Sequence, residues 1–377
     1  MPATFDCIVL GLGGIGSATL AALARRGVRV LGIDRFSPPH EYGSSHGETR
    51  VIRRAYPEHP DYVPLVDRAF RQWRELESET GRELLTRTGL LLTGPRDGDT
   101  IDGSLRAAAQ HQLDIVEIPR GETRERFPHL RFEGDEATIY EQDAGFLRVE
   151  DCVEANLEAA AAHGAEQKFG ETVLNWSASE AGVRVNTDRG DYSAGRLIVT
   201  AGAWATRLLS DLGVPFTVRR KVLLWHPVDE SARDAFASGP TYMFERAGGV
   251  FYGFPCLDGA TVKLALHTGG EETTDPDQID RQLHQSDVEP VANALVPRLA
   301  GVDPAPARHT VCMYTMSPDH NFIIDRHPRF PSVTLAAGLS GHGFKFAPTL
   351  AEALTHLSLE GRSDLPINFL SLARFAV

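Results

Sequence analysis

The chain begins its regular pattern with F-D-C-I-V-L-G-L-G-G-I-G, residues 5–16. Its first half, Phe5–Leu10, is a short apolar run of the kind that predicts a buried parallel strand. Residues 15–26 have the apolar periodicity of a helix, and residues 28–33 predict a second strand. A strand, a glycine turn, a helix and another strand, in this order, predict an α/β domain that opens with a dinucleotide-binding unit.

The glycine turn has the spacing that a pyrophosphate requires. Gly11 permits a tight turn, Gly13 permits close approach of the backbone, and Gly16 permits close packing of helix on strand. The start of the helix, including Gly14 and Ile15, offers free N–H groups to the phosphates. Asp34, which ends the second strand, would accept a hydrogen bond from a ribose hydroxyl. The alternative is a glycine turn that only packs, and the motif does not separate NAD from FAD.

Two later segments favour FAD. A-G-A-W, residues 201–204, and G-L-S-G-H-G, residues 338–343, each follow an apolar strand. Backbone groups at such turns can line an elongated flavin nucleotide, whereas an NAD dehydrogenase would not need them. Because these elements are far apart in sequence, we expect a discontinuous domain around an inserted substrate lobe. The remaining predicted elements are a loop over 37–60, short strands and turns over 81–145, strands with one helical stretch near 276–298, and helices over 62–80, 149–163 and 348–359.

Composition excludes several classes of function. The formal net charge of −13 argues against nucleic acid or an anionic membrane as the main partner. No apolar run approaches the length of a membrane span, and no signal peptide precedes the first strand. The four cysteines are far apart and the histidines are scattered, so we expect neither a metal site nor disulfides, and a cytoplasmic location.

A cluster of basic residues follows the nucleotide unit in S-S-H-G-E-T-R-V-I-R-R, residues 44–54. The spacing of Arg50, Arg53 and Arg54 would place them on one side of a helical turn. They form either a solvated arginine face or a site where one guanidinium binds a substrate carboxylate with two hydrogen bonds.

Lysine is rare, since only four of the 38 basic residues are lysines. One of them lies in T-V-K-L-A-L-H, residues 261–267, where alternation places Lys263 and His267 on the same face of a strand. Another, Lys345, lies just before a helix, where a cation is unfavourable and an anionic ligand is indicated. Cys312, in V-C-M-Y-T, has the pattern of a small buried apolar residue.

Taken together, G-L-G-G-I-G, S-S-H-G-E-T-R-V-I-R-R-A-Y, V-K-L-A-L-H, V-C-M-Y-T and G-L-S-G-H-G-F-K-F resemble the monomeric sarcosine oxidase family, which also contains N-methyltryptophan oxidase. The resemblance runs from residue 5 almost to the C-terminus. It implies an α/β fold in which a glutathione-reductase-like FAD-binding domain carries an inserted substrate domain on a mixed β-sheet. The expected boundaries are 1–80, 146–215 and 310–377 for the FAD-binding domain, and 81–145 and 216–309 for the substrate domain.

The resemblance also implies roles for individual residues. Cys312 matches the cysteine that binds FAD covalently, and Lys263 matches the lysine tied to oxygen activation. Arg53 and Lys345 match the carboxylate-binding pair, with Tyr252 and His267 in the substrate pocket. His46 and Arg50 match positions on one flavin face. The FAD contacts carried over are Gly11, Gly13, Gly14, Ile15, Gly16, Asp34, Arg35, Ser44, His46, Thr49, Arg50, Val173, Ala201, Gly202, Trp204, Cys312, Gly338, Gly341, Gly343, Phe344 and Lys345.

The activity implied is oxidative demethylation of sarcosine or a related N-methyl amino acid by O2, giving formaldehyde, the primary amino acid and hydrogen peroxide, in a monomer. The alternatives are oxidation of N-methyl-L-tryptophan or another secondary amino acid, a dehydrogenase of the same fold, a non-catalytic flavoprotein and an NAD-dependent dehydrogenase. Many family members have a second histidine where this chain has Ser45, so the role of that position is open.

Overall fold

A computed structural model describes residues 5–273 and 275–375 of the chain. The strands are β1 Phe5–Leu10, β2 Val30–Ile33, β3 Thr49–Ile52, β4 Leu85–Thr86, β5 Leu90–Gly94, β6 Ile115–Glu117, β7 Ala137–Glu141, β8 Gly145–Arg148, β9 Glu166–Lys168, β10 Val173–Ser179, β11 Gly182–Thr187, β12 Asp191–Val199, β13 Thr217–Pro227, β14 Thr241–Arg246, β15 Gly249–Gly253, β16 Thr261–Leu266, β17 Glu271–Thr273, β18 Arg308–Met316, β19 Ile323–Arg326 and β20 Val333–Ala337. The helices are α1 Gly14–Arg25, α2 Tyr62–Thr80, α3 Asp99–His111, α4 Arg120–Arg126, α5 Val149–Ala162, α6 Ala205–Leu208, α7 Glu230–Ala237, α8 Gln285–Ala294 and α9 Ala347–Glu360.

The first sheet carries the glycine turn. Its main path runs β10-β11-β12-β1-β2-β9, with β20 added beside β12 and β19 beside β20. The central pairs of β1 with β2 and with β12 are parallel, as the apolar runs predicted. Helices α1, α2, α5 and α9 supply apolar side chains to one core on this sheet, and a second core covers the other face. Burial on both faces explains why β1 is apolar almost throughout.

The second sheet is mixed and runs β17-β13-β16-β15-β14-β5-β7-β6, with β18 paired to β13. Strand β5 pairs parallel to β14, while the neighbouring pairs are antiparallel. A core of side chains from β14, β16 and α8 covers one face, and the other face holds Cys312 and Tyr252. Strands β3, β8 and β4 form a small third sheet, in the order β3-β8-β4.

Several details differ from the sequence prediction. Residues 49–52 form strand β3 and not part of a helical turn, because Arg50 and its neighbours pair with β8. The segment 81–145 contains helices α3 and α4 as well as short strands. Strand β18 pairs along nine residues of β13, so it belongs to the second sheet although the predicted boundary at 310 assigned most of it to the first.

The helical stretch predicted near 276–298 is shorter than expected, since α8 covers only Gln285–Ala294 between two short 3-10 turns. Within the described residues, no helix is both long and apolar enough to span a bilayer. The same part of the chain has no group of three or more His, Cys, Asp or Glu side chains placed to hold a metal ion.

A cavity between the two sheets is the candidate active site

A cavity of about 470 Å³ extends from the glycine turn to the inner face of the second sheet. Most of the predicted FAD contacts line it, and so do Arg53, Tyr252 and His267. Five predicted residues do not line it, and these are Gly16, His46, Thr49, Lys263 and Cys312. The structure therefore brings the separate motifs to one place, and these five residues lie behind the residues that line the cavity.

The glycine turn has the close contacts that its sequence predicts. Gly11 has a φ of +84°, and a Cβ there would lie 2.7 Å from the carbonyl oxygen of Thr200. A Cβ on Gly16 would lie 1.7 Å from the carbonyl oxygen of Gly11. Since neither position accepts a side chain, α1 can approach β1 and β12 only with glycine here.

Asp34 and Ser45 hold the turn against the start of α1. One carboxylate oxygen of Asp34 accepts the N–H of Leu12 at 2.6 Å, and the other accepts the N–H of Phe36 at 2.8 Å. The hydroxyl of Ser45 accepts the N–H of Gly14 at 2.9 Å, and this gives Ser45 a structural role as a partner of the helix N-terminus. Both side chains line the cavity, and a carboxylate has further lone pairs for a ribose hydroxyl.

The lining of the cavity fits FAD. The N-terminal end of α1 faces it through Gly13 and Gly14, and the segment Ala336–Lys345 lines its other side.

The Nδ1 atom of buried His46 has no hydrogen-bond partner among the described residues, and its Nε2 is 3.1 Å from the carbonyl oxygen of Gly43. Burial, with Arg50 next, lowers the pKa of His46 to about 3, so this ring is neutral.

Arg50 lies between the cavity and Cys312. Its guanidinium donates to the carbonyl oxygens of Thr49 and Ser44 at 2.8 and 2.9 Å and lies 3.3 Å from the Cys312 sulfur. Cys312 is 1% exposed. A neighbouring guanidinium stabilises a thiolate, which is the reactive form of cysteine.

A cationic subsite forms at the other end of the cavity. Arg53 and Lys345 are 6% and 7% exposed, and both line the cavity. The Lys345 ammonium donates to the carbonyl oxygen of His342 at 2.8 Å and to the Tyr56 hydroxyl at 3.3 Å. Burial, with Arg53 next, lowers the pKa of Lys345 to about 7. Two buried cationic side chains at one wall favour an anionic ligand.

Glu58 belongs to this subsite, and the sequence contained no signal for it. Its carboxylate lies 3.4 Å from the Arg53 guanidinium, and it lines the cavity. Burial alone would raise the pKa of Glu58, but Arg53, His342 and Lys345 hold that pKa below its ordinary value. Arg54, by contrast, pairs with Asp67 and Asp143 outside the cavity.

Aromatic side chains form the wall between the two ends. Tyr252, His267 and Tyr314 all line the cavity, and His267 Nδ1 lies 3.3 Å from the Tyr314 hydroxyl. Burial, with Lys221 next, lowers the pKa of His267 to about 3. Tyr314 was not predicted, although it lies two residues after Cys312 on β18 and therefore on the same face. Met243 and Phe254 complete this wall.

Lys263 lies behind this wall with its ammonium turned away from bulk water. It is 3% exposed, and its Nζ donates to the carbonyl oxygens of Gly47 and Thr49 at 2.6 and 2.8 Å. The ring centre of Phe254, which lines the cavity, is 4.3 Å from Nζ. Burial, with Arg50 next, lowers the pKa of Lys263 well below its ordinary value, while Glu48 and Glu150 oppose that shift.

The fold and the cavity are those of a flavin-dependent oxidoreductase, and comparison with known proteins gives the family. The FAD dependent oxidoreductase family matches residues 6–357. Monomeric sarcosine oxidase from Streptomyces avermitilis is 42% identical over 100% of this chain and 99% of its own length. N-methyl-L-tryptophan oxidase from Yersinia pestis is 36% identical over 98% of this chain and 99% of its own. The chain therefore belongs to the sarcosine oxidase and N-methyltryptophan oxidase family of FAD-dependent oxidoreductases.

Solved structures agree with this fold. NikD, an unusual amino acid oxidase essential for nikkomycin biosynthesis, superposes with a TM-score of 0.87 over 98% of both chains at 24% identity. At that identity the likeness concerns the fold alone. It confirms the predicted α/β architecture.

Proposed function

We propose that the protein oxidatively demethylates sarcosine or a closely related N-methyl amino acid. Sarcosine, O2 and water would give glycine, formaldehyde and hydrogen peroxide. The observation that carries this proposal is the buried pair Arg53 and Lys345 at one end of the cavity that begins at the glycine turn. Sequence similarity to the curated sarcosine oxidases supports the same substrate class.

The carboxylate of the substrate binds at the cationic subsite. Arg53 offers a planar pair of donors, and Lys345 offers a point charge next to it. Glu58 pairs with Arg53 and competes with the substrate carboxylate for its donors. This anchor sets the position of the amine in the cavity, so that a small amino acid presents its N-methyl group to the aromatic wall.

The aromatic wall favours an uncharged amine. Tyr252 and Tyr314 keep their protons, because burial raises the pKa of each. His267 is neutral, as its lowered pKa requires. Burial among these groups and beside two cations disfavours a protonated amine, and no strong protein base is needed to remove a proton from the free base.

Bound FAD supplies the two-electron acceptor for the C–H bond beside the amine and passes the electrons to O2. The glycine turn, Asp34 and the segment 336–345 would hold the nucleotide. Lys263 would place a positive charge where oxygen is reduced. The two carbonyl oxygens that accept from its ammonium support that role, because they fix the position of the ammonium and oppose the loss of its proton. Cys312 would attach the flavin, with Arg50 stabilising the attacking thiolate.

A substrate panel tests the function. Purified holoprotein is assayed with sarcosine, N-methyl-L-tryptophan and glycine, and peroxide and formaldehyde are both measured. We expect equimolar peroxide and formaldehyde, fastest with sarcosine, and neither product from glycine. Formaldehyde without peroxide would assign the protein to the dehydrogenases, and no turnover with any N-methyl amino acid would overturn the proposal.

Acid precipitation tests the attachment through Cys312. The pellet of the wild-type protein should stay yellow, whereas Cys312→Ser should give a colourless pellet and a yellow supernatant. Cys256→Ser is the matched control, because Cys256 is buried in a different core, and its pellet should remain yellow. A colourless wild-type pellet would remove the covalent bond from the proposal and leave bound FAD in place.

We also propose that the protein acts as a monomer in a reducing compartment such as the cytoplasm. All four cysteines are unpaired and buried, which suits a reducing environment. The name of the Streptomyces avermitilis relative points to the same oligomeric state. Size-exclusion chromatography with light scattering should give the mass of one chain.

A further inference from the structure

The segment that cradles Lys263 has an unusual backbone. Gly47 and Glu48 have φ angles of +87° and +69°, so two consecutive residues are left-handed and one of them is not glycine. A Cβ on Gly47 would lie 2.4 Å from a methyl group of Leu223. This conformation turns the carbonyl oxygens of Gly47 and Thr49 toward Lys263. A left-handed non-glycine residue is strained and needs support from its surroundings.

That support comes from Glu150, in the first turn of α5. One carboxylate oxygen accepts the N–H of Gly47 at 2.6 Å, and both lie within 3.2 Å of the Glu48 nitrogen. The N–H of Val149 donates to the carbonyl oxygen of Glu48 at 2.9 Å. The start of α5 thus holds both backbone groups of Glu48, and a carboxylate at this position is favoured by the helix dipole.

The Glu48 side chain fixes the same segment from the opposite side. It accepts the indole N–H of Trp225 at 2.9 Å and pairs with Arg308, whose guanidinium stacks over the Trp225 ring. Amides on one side and a side chain on the other therefore leave this loop little freedom. In this arrangement the carbonyl oxygens of Gly47 and Thr49 face Lys263, and that of Thr49 also accepts from Arg50.

We propose that Glu150 is a positioning residue for Lys263 and acts through the backbone of residues 47–49. Anchoring the two amides holds the two carbonyl oxygens against the ammonium and keeps that ammonium beside Phe254 at the cavity wall. Glu150 also contributes a negative charge near Lys263. The proposal rests on the proposed role of Lys263 in the reaction with O2, whereas the anchoring of the loop is independent of it.

The test variant is Glu150→Gln, which keeps the shape but replaces one acceptor oxygen by a donor that faces the N–H of Glu48. The matched control is Glu154→Gln, one turn further along α5, where the carboxylate pairs with Arg82 away from the loop. Hydrogen exchange of the amides of residues 47 and 48, followed by mass spectrometry, reports the anchoring without any turnover. Stopped-flow measurements separate reduction by sarcosine from reoxidation by O2.

For Glu150→Gln we expect the amides of residues 47 and 48 to exchange about tenfold faster. Reoxidation by O2 should be about tenfold slower, and the rate of reduction by sarcosine should change less than about twofold. The control should change none of the three. Faster exchange with unaltered reoxidation would overturn the positioning role, and so would an equal loss in both half-reactions. Unaltered exchange would overturn the anchoring itself.

A second variant keeps the test decisive if the glutamine variant does not fold. Glu150→Asp keeps the charge on a side chain one methylene shorter. It must also slow reoxidation by O2 more than reduction by sarcosine, but to a smaller degree than Glu150→Gln. If the wild-type protein forms no peroxide with any N-methyl amino acid, the proposed function fails, and the exchange data still decide whether Glu150 holds the loop.

Discussion

The two ends of the cavity are built in different ways. The glycine turn of the nucleotide end comes from one continuous stretch, residues 5–34, and depends on backbone conformation and the absence of side chains at Gly11 and Gly16. The segment 336–345 lines the other side of this end. The substrate end takes Arg53, Lys263 and Lys345 from three distant segments and depends on buried charge. The difference shows that one end is set by local sequence and the other by the packing of the two sheets.

Removing the charge behind the aromatic wall should have the largest effect on the substrate end. In Lys263→Met we expect reoxidation by O2 to slow by about three decades, because a unit charge at about 4 Å contributes roughly 4 kcal/mol at an effective dielectric of about 20. Stopped-flow mixing of reduced enzyme with O2 measures it. Lys168→Met, on the exposed strand β9, should leave the rate unchanged. Equal slowing of both half-reactions would contradict the assigned role.

Filling the glycine turn should damage the nucleotide end alone. Gly16→Ala places a Cβ 1.7 Å from the Gly11 carbonyl oxygen, and we expect a loss of about 3 kcal/mol in the free energy of unfolding. FAD content of the purified protein and urea unfolding are the measurements. Gly121→Ala is the control, since a Cβ there would meet nothing within 4 Å. A fully loaded, stable Gly16→Ala protein would refute the local account of this end.

Truncating the carboxylate anchor should weaken substrate binding more than chemistry. In Arg53→Ala we expect kcat/KM for sarcosine to fall roughly a hundredfold, chiefly through KM, because a buried charge partner is lost. Arg54→Ala is the matched control, since this neighbour pairs with surface carboxylates. An unchanged KM would remove Arg53 from the carboxylate site.

The smallest expected effect is a pH dependence at the same end. Burial and Arg53 lower the pKa of Lys345 to about 7, so its ammonium is present below that pH and lost above it. Binding of acetate, followed by the flavin spectrum, should therefore weaken above pH 7, by up to about tenfold per pH unit. Lys345→Met should remove this dependence. Persistence of the same pH profile in that variant would assign it to another group.

Much of the fold could be predicted from local pattern. Residues 5–34, the helix over 62–80 and the strand Val333–Ala337 were predicted because each has a clear apolar period or a glycine signal. Strand β3 was mistaken for a helical turn, since three arginines at helical spacing suit either structure. Helix α3 was missed because its glycine and serine residues weaken the helical signal.

The site was less predictable than the fold. Alternation correctly separated Lys263 from the core residues Val262 and Leu264, but it could not show that the ammonium turns to the loop at Gly47 and Thr49. Glu58 and Glu150 lie outside every motif that the sequence showed, although their partners Arg53, Gly47 and Glu48 belong to the motif at residues 44–54. The contacts of Glu150 form only when the start of α5 packs against residues 47–48, and no motif or spacing predicts that Glu58 pairs with Arg53.

The central claim is that an N-methyl amino acid bound at the cationic subsite delivers its electrons to FAD bound in the same cavity, and that O2 then accepts them. The most direct measurement is anaerobic mixing of the yellow holoprotein with sarcosine, followed by admission of air. We predict loss of the yellow colour with equimolar formaldehyde, and then return of the colour with equimolar hydrogen peroxide. A colour that persists with both sarcosine and N-methyl-L-tryptophan would contradict the claim.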